Sequence, residues 1–332
     1  MTRRFLVLGG TSWVGGALAR AALGRGHQVT CLARGESGSV PNGAEWVCAN
    51  RELPGAYDEV AKRRWDAVLD VARQPGQVRS ALAALAGRAG HWVYVSSGSV
   101  YADVSTPDAD ECAALLEPWT GTGVPSGEDY GAAKVACEMA CQEALSSDRL
   151  LIARAGLIVG YGDQSDRFGY WPARIARATT SSRVLVPPRD TPSQGIDVAD
   201  LAAWLVGAAD QGVPGVFNAT GDALPFREIL AECERAAGHS VETVEVDHSW
   251  LLAQAVEPWM GPESLPLWLP QPEYAGFPTR RNQAAKGSGL RLRPLSETVQ
   301  AALAWERELG LNRSREAGLS TERENQLLYL AT

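Results

Sequence analysis

The chain contains 332 residues, of which 45% are hydrophobic and 21% charged, and its formal net charge is −8. This length allows one large domain and a smaller subdomain, each with a buried core. We find no basic patch, no signal peptide and no apolar run of about 18 residues, so we expect a cytoplasmic protein without nucleic-acid or membrane partners. The six cysteines and four histidines lack metal-ligand spacing, so no metal site is predicted.

Short apolar runs alternate with helical spacing in the N-terminal part of the chain. The pattern predicts strands over 5–8, 28–33, 46–49, 67–71 and 91–96. Helices are predicted over 13–23, 57–64 and 78–86. This alternation predicts an α/β fold, a doubly wound parallel sheet of the Rossmann type.

The pattern changes after the fifth strand, where residues 102–128 form a polar excursion rich in proline and glycine. Further elements are predicted as a helix over 128–145, a strand over 150–159, a helix over 200–209 and a final helix capped by Thr321 to Glu324. We therefore assign 1–160 to the main domain and 161–332 to a mixed region. In that region a smaller C-terminal subdomain covers 161–190 and 222–290, and segments 191–221 and 291–332 return to the main domain.

A glycine turn joins the first strand to the first helix. Such a turn lets the backbone approach a pyrophosphate, and the helix N-terminus offers free N–H groups. A glycine motif alone is weak support for a dinucleotide site, but its place in the first strand–helix unit strengthens that prediction. We therefore predict a dinucleotide site that includes Gly9, Thr11, Ser12, Trp13, Val14 and Gly15.

The residue after the second strand determines which of the two nicotinamide dinucleotides, NAD or NADP, is preferred. An acid at this position binds the ribose 2′-hydroxyl of NAD, whereas an arginine suits the 2′-phosphate of NADP. Arg34 occupies the position and no acid precedes it, although Glu36 could still reach a ribose. The sequence favours NADP(H) over NAD(H).

Tyr130 and Lys134 are four residues apart in a helical context and share one helix face. A nearby ammonium stabilises a phenolate, so this pair suits proton transfer to an alkoxide formed by hydride transfer. The fifth strand ends in the hydroxyl cluster Ser96-Ser97-Gly98-Ser99, at the sheet edge where open α/β sheets bind ligands. A serine hydroxyl there can hold the substrate oxygen.

These motifs resemble those of the extended short-chain dehydrogenases/reductases, in the NAD-dependent epimerase/dehydratase group. The resemblance covers about residues 1–235 and includes the segments 96–101, 154–160 and 195–201. It implies that Ser97 positions the substrate, with Tyr130 as acid/base and Lys134 as its partner. It also implies cofactor contacts at Asn50, Val71, Ala72, Ser96, Ala155, Gly156 and Leu157.

Two positions depart from the family pattern. Ser12 replaces a glycine of the turn, where its side chain could crowd the pyrophosphate or bond a 2′-phosphate. Ala155 replaces the usual proline and leaves that strand less rigid. Neither departure removes a catalytic group.

The fold does not choose a substrate. Aromatic residues in the subdomain suit a flat or apolar ligand, and candidate substrate contacts are Ser99, Trp119, Arg167, Tyr170 and Trp171. We predict NAD(P)H-dependent reduction of a ketone or related C=O or C=N group on a small hydrophobic or aromatic metabolite. The alternatives are a sugar-nucleotide epimerase or dehydratase and, in another class, a non-catalytic dinucleotide sensor or RNA-binding protein. The alanine-rich helix over 128–145 suggests a homodimer.

Overall fold

A computed structural model describes residues 1–179 and 182–331. The strands are β1 (Arg4–Leu8), β2 (Gln28–Ala33), β3 (Glu45–Cys48), β4 (Trp65–Asp70), β5 (Ala89–Ser97), β6 (Leu150–Ala155), β7 (Leu157–Val159), β8 (Arg183–Val186), β9 (Pro192–Asp197), β10 (Gly215–Ala219), β11 (Ala223–Pro225), β12 (Glu242–Glu245), β13 (Glu257–Trp259) and β14 (Ser264–Pro266). The helices are α1 (Trp13–Gly24), α2 (Pro75–Leu85), α3 (Tyr130–Ala144), α4 (Tyr170–Ala176), α5 (Val198–Gln211), α6 (Phe226–Ala237), α7 (His248–Ala253), α8 (Gln283–Gly287), α9 (Leu295–Leu309) and α10 (Thr321–Leu330). Within the described ranges, no helix combines the length and apolarity needed to cross a membrane.

The central sheet has seven parallel strands in the order β10-β6-β5-β4-β1-β2-β3. The chain winds outward from β1 in one direction through β2 and β3, and in the other from β4 onward. This is the doubly wound parallel sheet that the strand–helix alternation predicts, and that prediction is confirmed. The reversal leaves a crevice at the carboxyl ends of β1 and β4, where such sheets bind ligands.

Alternate residues of β1 face opposite layers of helices. Phe5 and Val7 pack in one core with α1 and α5, whereas Leu6 and Leu8 pack in another with α2 and α3. Both faces of a parallel sheet are covered in this way, which is why β1 is a continuous apolar run rather than an alternating one.

A second core lies in the C-terminal half and joins α4, α6, α9 and α10 around β8. The expectation that 291–332 returns to the main domain is therefore wrong for α9 and α10. Their apolar stripes fill this second core, and the Arg174 guanidinium holds the Glu324 carboxylate of α10 at 2.6 Å. Conversely, α8 and Leu290 pack on the main sheet, although 222–290 was expected in the subdomain.

Three local predictions differ from the structure. Residues 57–64 contain only a short 3₁₀ turn over Val60–Lys62 before the chain enters β4. The strand expected over 150–159 divides at Gly156, so that β6 joins the central sheet while β7 pairs with β9. The final helix is capped by Ser320 rather than Thr321, since the Ser320 hydroxyl accepts a hydrogen bond from the Arg323 amide at 3.1 Å.

Candidate active site

A cleft lies at the carboxyl ends of β1, β2 and β4. Seven of the predicted cofactor residues line it, namely Gly9, Thr11, Ser12, Arg34, Asn50, Val71 and Ala72. Trp13, Val14 and Gly15 follow directly in the first turn of α1. The sheet topology thus brings residues from four separate segments to one crevice.

The turn after β1 is shaped to hold a pyrophosphate. Gly9 has a φ of +94°, a left-handed conformation that favours glycine, and an added Cβ would lie 2.7 Å from the Val71 side chain. Among the described residues, none accepts a hydrogen bond from the amide N–H groups of Trp13 and Val14. These free donors at a helix N-terminus fit an anionic phosphate.

The side chains of Ser12 and Trp13 have structural partners. The Ser12 hydroxyl donates to the Gly9 carbonyl at 2.8 Å and accepts from the Gly15 amide at 3.2 Å, so it caps α1 and is not free to bond a 2′-phosphate. The Trp13 indole donates to the Tyr161 carbonyl at 2.8 Å. The contribution of Trp13 to the turn is therefore its backbone.

Arg34 lies at the outer end of the cleft, where its guanidinium is 3.1 Å from the exposed Glu36 carboxylate. The inner end contains Arg51, which sequence reasoning missed. Its guanidinium forms two hydrogen bonds of 2.8 and 3.0 Å with the fully buried carboxylate of Asp70. This ion pair holds Asn50, the residue before Arg51, at the end of β4. The sequence signal that could have indicated the pair was Asp70, an acid at the end of a buried strand.

Ser97 ends β5, and its hydroxyl is bonded to the next turn. It donates to the Ser99 hydroxyl at 3.2 Å and accepts from the Ser99 amide at 3.1 Å. Gly131 of α3 lies so close to this turn that an added Cβ would overlap the Ser99 carbonyl oxygen. This close approach places Tyr130, the first residue of α3, beside the serine turn.

Lys134 is buried between β4 and β5. Its ammonium donates to the carbonyl oxygens of Ala72 at 2.8 Å and Val95 at 2.7 Å, and it lies 4.8 Å from the centre of the Tyr94 ring. Among the described residues, no hydrogen bond joins it to Tyr130. Ala72 lines the cofactor cleft, so the ammonium lies at the inner edge of that cleft with a third N–H to donate.

Ser96 does not face the cleft, contrary to its assignment as a cofactor contact. Its hydroxyl donates to the Glu138 carboxylate at 2.5 Å, because successive residues of a strand point to opposite faces. Glu138 is in turn paired with Arg154, with a shortest distance of 2.9 Å. Sequence reasoning missed this buried pair, although Glu138 lies one helical turn after Lys134.

The three residues expected to continue the cofactor site follow the end of β6, where Ala155 pairs with Ser97 of β5. Ala155 is buried in the main core and Leu157 in the second core, while the Gly156 amide donates to the Ala219 carbonyl of β10 at 3.1 Å. None of them lines the cleft at the ends of β1, β2 and β4, and neither do Ser97, Tyr130 and Lys134, so the assignment of Ala155, Gly156 and Leu157 as cofactor contacts stays a prediction. The backbone turn from β6 to β7 directs the chain away from the central sheet and toward the second core.

Two of the five predicted substrate residues are core residues instead. Tyr170 and Trp171 are 1% and 0% exposed and pack against Phe226 and each other. The Trp119 amide donates to the Ala132 carbonyl of α3, which holds the excursion against the helix that carries Tyr130. Burial of the two aromatics follows from the second core, which periodicity alone did not reveal.

Arg167 is the predicted substrate residue that lies near Tyr130. Its guanidinium is close enough to the Tyr130 hydroxyl for their charges to interact. It also lies over the Trp259 ring, 5.3 Å from its centre.

The doubly wound sheet and its glycine-lined cleft define a dinucleotide-binding protein of the α/β class. A model of the NAD dependent epimerase/dehydratase family matches residues 5–219, well over half of the chain. The chain therefore belongs to the NAD dependent epimerase/dehydratase family, which confirms the resemblance seen in its motifs. The family name also supports an enzyme with a nicotinamide dinucleotide cofactor.

The proteins similar to this chain include a reductase and two that are named epimerases. The chain is 28% identical over 267 residues to 2′-dehydrokanamycin reductase of Streptomyces kanamyceticus. The alignment covers 76% of this chain and 72% of that protein. A putative epimerase from Burkholderia cenocepacia J2315 is 22% identical, with a TM-score of 0.70. The superposition covers 92% of this chain and 98% of that one. UDP-glucuronic acid 4-epimerase from Bacillus cereus, solved with NAD, is 14% identical with a TM-score of 0.66 and coverage of 92% and 99%. These structural likenesses show a shared fold.

Proposed function

We propose that this protein is a reductase that uses NADPH to reduce a ketone or related C=O or C=N group on a small hydrophobic or aromatic metabolite. The observation that carries the proposal is the contact of Gly131 with the Ser99 turn, which brings Tyr130 beside the serines. The relative named 2′-dehydrokanamycin reductase supports reduction.

Each residue has a separate role in the proposed reaction. When bound in the cleft, a reduced nicotinamide cofactor would supply the hydride for the carbonyl carbon. The Ser97 hydroxyl holds the carbonyl oxygen, and the Tyr130 hydroxyl donates a proton to that oxygen, so that the ketone becomes an alcohol. The buried Lys134 ammonium stabilises the phenolate that remains on Tyr130 and has an N–H left for a ribose hydroxyl.

The cofactor would lie in the glycine-lined cleft, with its pyrophosphate on the free amides of Trp13 and Val14. Arg34 follows β2 directly and lines the outer end of the cleft, where a guanidinium can hold a 2′-phosphate in two hydrogen bonds. Ala33 precedes it, so no carboxylate ends β2 to favour an unphosphorylated ribose. This arrangement supports NADPH.

The experiment is a measurement of NADPH oxidation against a panel of aromatic and alicyclic ketones and cyclic imines. We expect turnover of at least one ketone, and we expect Tyr130→Phe to lower kcat by about 100-fold or more while NADPH still binds. Tyr329→Phe, on the exposed face of α10, is the matched control and should retain full activity.

The same assay, with UDP-sugars added to the panel, separates the alternative functions. Interconversion of UDP-sugars without net NADPH consumption would favour the epimerase. NADPH binding with no Tyr130-dependent turnover of any carbonyl compound or sugar nucleotide would favour the non-catalytic sensor.

A further inference from the structure

Trp259, Phe277 and Arg167 form one contiguous cluster, named here the aromatic wall. The Trp259 and Phe277 rings meet edge to face with their centres 5.3 Å apart. The Arg167 guanidinium lies over the Trp259 ring at 5.3 Å. All three side chains are partly exposed, which distinguishes them from the fully buried Tyr170 and Trp171.

The wall is attached to the loop that follows the catalytic serines. The Gly276 amide donates to the Val104 carbonyl at 2.9 Å, and the Asp108 amide donates to the Thr279 carbonyl at 3.2 Å. Phe277 is therefore held by the chain that leaves Ser99 only a few residues earlier. The wall is thus tied to the chain that leaves the serine turn.

Trp259 is held in an unusual backbone conformation. Its φ is +70°, a left-handed value that is unfavourable for a residue with a large side chain. A hydrogen bond of 3.0 Å from its amide to the Trp268 carbonyl maintains this conformation. Strained backbone that persists in a fold is common at ligand-binding positions.

Arg167 differs from three interior arginines of this protein that each have a carboxylate partner, and Arg280 shares this difference. Arg51, Arg154 and Arg174 each bond a carboxylate within 3.0 Å. Among the described residues, no carboxylate oxygen lies within 4.0 Å of the Arg167 guanidinium, whose Nε donates to the Ser165 hydroxyl at 3.1 Å. Burial lowers the pKa of Arg167, and Asp163 opposes that shift only from a greater distance. A cation with few waters and no counter-ion attracts an anion.

We infer that Arg167 binds an anionic group of the substrate, and that Trp259 and Phe277 cover the aromatic or apolar part of the same molecule. The inferred substrate is an aromatic oxo acid or a similar carbonyl compound with a carboxylate near the reacting carbon. This inference rests on the proposed reductase function.

A binding experiment tests the inference without requiring turnover. Benzoate and benzamide, which cannot be reduced here, are titrated by calorimetry into the full-length protein saturated with NADP⁺. We expect benzoate to bind about tenfold or more tightly than benzamide, because a charged hydrogen bond replaces a neutral one. Arg167→Met should remove this difference, and Arg167→Lys should retain part of it. Arg307→Met, an exposed arginine of α9, is the charge-matched control.

A kinetic arm then connects binding to the reaction. Phenylglyoxylate and phenylglyoxylamide are compared as ketones that differ only in the charged group. We expect Arg167→Met to raise KM for the acid about tenfold or more, with a smaller change in kcat and little change for the amide.

The outcomes separate the two proposals. Equal affinity of benzoate and benzamide, binding of neither, or an unchanged preference in Arg167→Met overturns the role of Arg167. Preferential, Arg167-dependent binding of benzoate without turnover of any ketone supports the anion site and contradicts the reductase.

Discussion

Gly131, the second residue of α3, contacts the carbonyl oxygen of Ser99 so closely that no side chain fits between them. This contact joins the helix that carries Tyr130 to the turn that carries Ser97 and Ser99. We expect Gly131→Ala to displace the first turn of α3 and to lower kcat by about 100-fold, since misplacement of a catalytic group by an ångström has such effects.

The control for this change is Gly127→Ala. Gly127 lies just before α3, and an added Cβ there meets nothing within 4 Å, so activity should remain. Steady-state kinetics and the melting temperature are measured for both variants. Full activity of Gly131→Ala would show that the contact does not position Tyr130.

Cofactor preference should depend on Arg34. We expect Arg34→Ala to weaken NADPH binding by about 10-fold to 100-fold, as for loss of a charged hydrogen bond, and to leave NADH binding nearly unchanged. Glu36→Ala should strengthen NADPH binding, because Glu36 now pairs with Arg34 at 3.1 Å and repels a phosphate. Fluorescence titration measures both, and unchanged NADPH affinity in Arg34→Ala contradicts the assignment.

The buried pair of Glu138 and Arg154 should be needed for stability. Glu138→Gln leaves the Arg154 cation without its counter-ion, which we expect to lower the free energy of unfolding by about 3 kcal/mol. Urea denaturation measures the change, and Glu143→Gln on the exposed face of α3 is the control. An equal effect of both substitutions would mean that the pair contributes nothing specific.

Stability should fall as the pH drops below about 6.5. Burial lowers the pKa of His91 from its ordinary value of 6.5, so the folded state keeps the ring neutral while the unfolded state binds a proton. The stability contributed by the neutral ring is therefore present above 6.5 and is lost as the pH falls below it. The melting temperature of His91→Gln should fall less than that of the native protein between about pH 7.5 and 5.5. Parallel curves would contradict this.

The homodimer stays a prediction. Most of α3 is already buried within the chain, and Met139, 41% exposed, is its one large apolar side chain on the surface among the described residues. If two copies pair through this face, Met139→Asp should convert a dimer to a monomer in light scattering. A native monomer would make the prediction wrong.

The sequence by itself determined the main sheet and the place of the site. Apolar runs and glycine turns are local signals, so β1, α1, β2 and the turn at Gly9 follow from their neighbours in the chain. The order of these elements also fixes which strand ends meet at one edge. That reasoning placed Tyr130, Lys134 and the serine cluster on elements that the structure brings together.

Only the tertiary structure decided which of these side chains face the cleft and which face a core. Ser96 and Ser97 are neighbours whose side chains point to opposite faces of β5. Tyr170 and Trp171 became core residues because α6 and α9 pack against α4. Arg167 lies over the ring of Trp259, a residue far away in the chain. Such contacts join residues far apart in the chain, and local patterns carry no information about them.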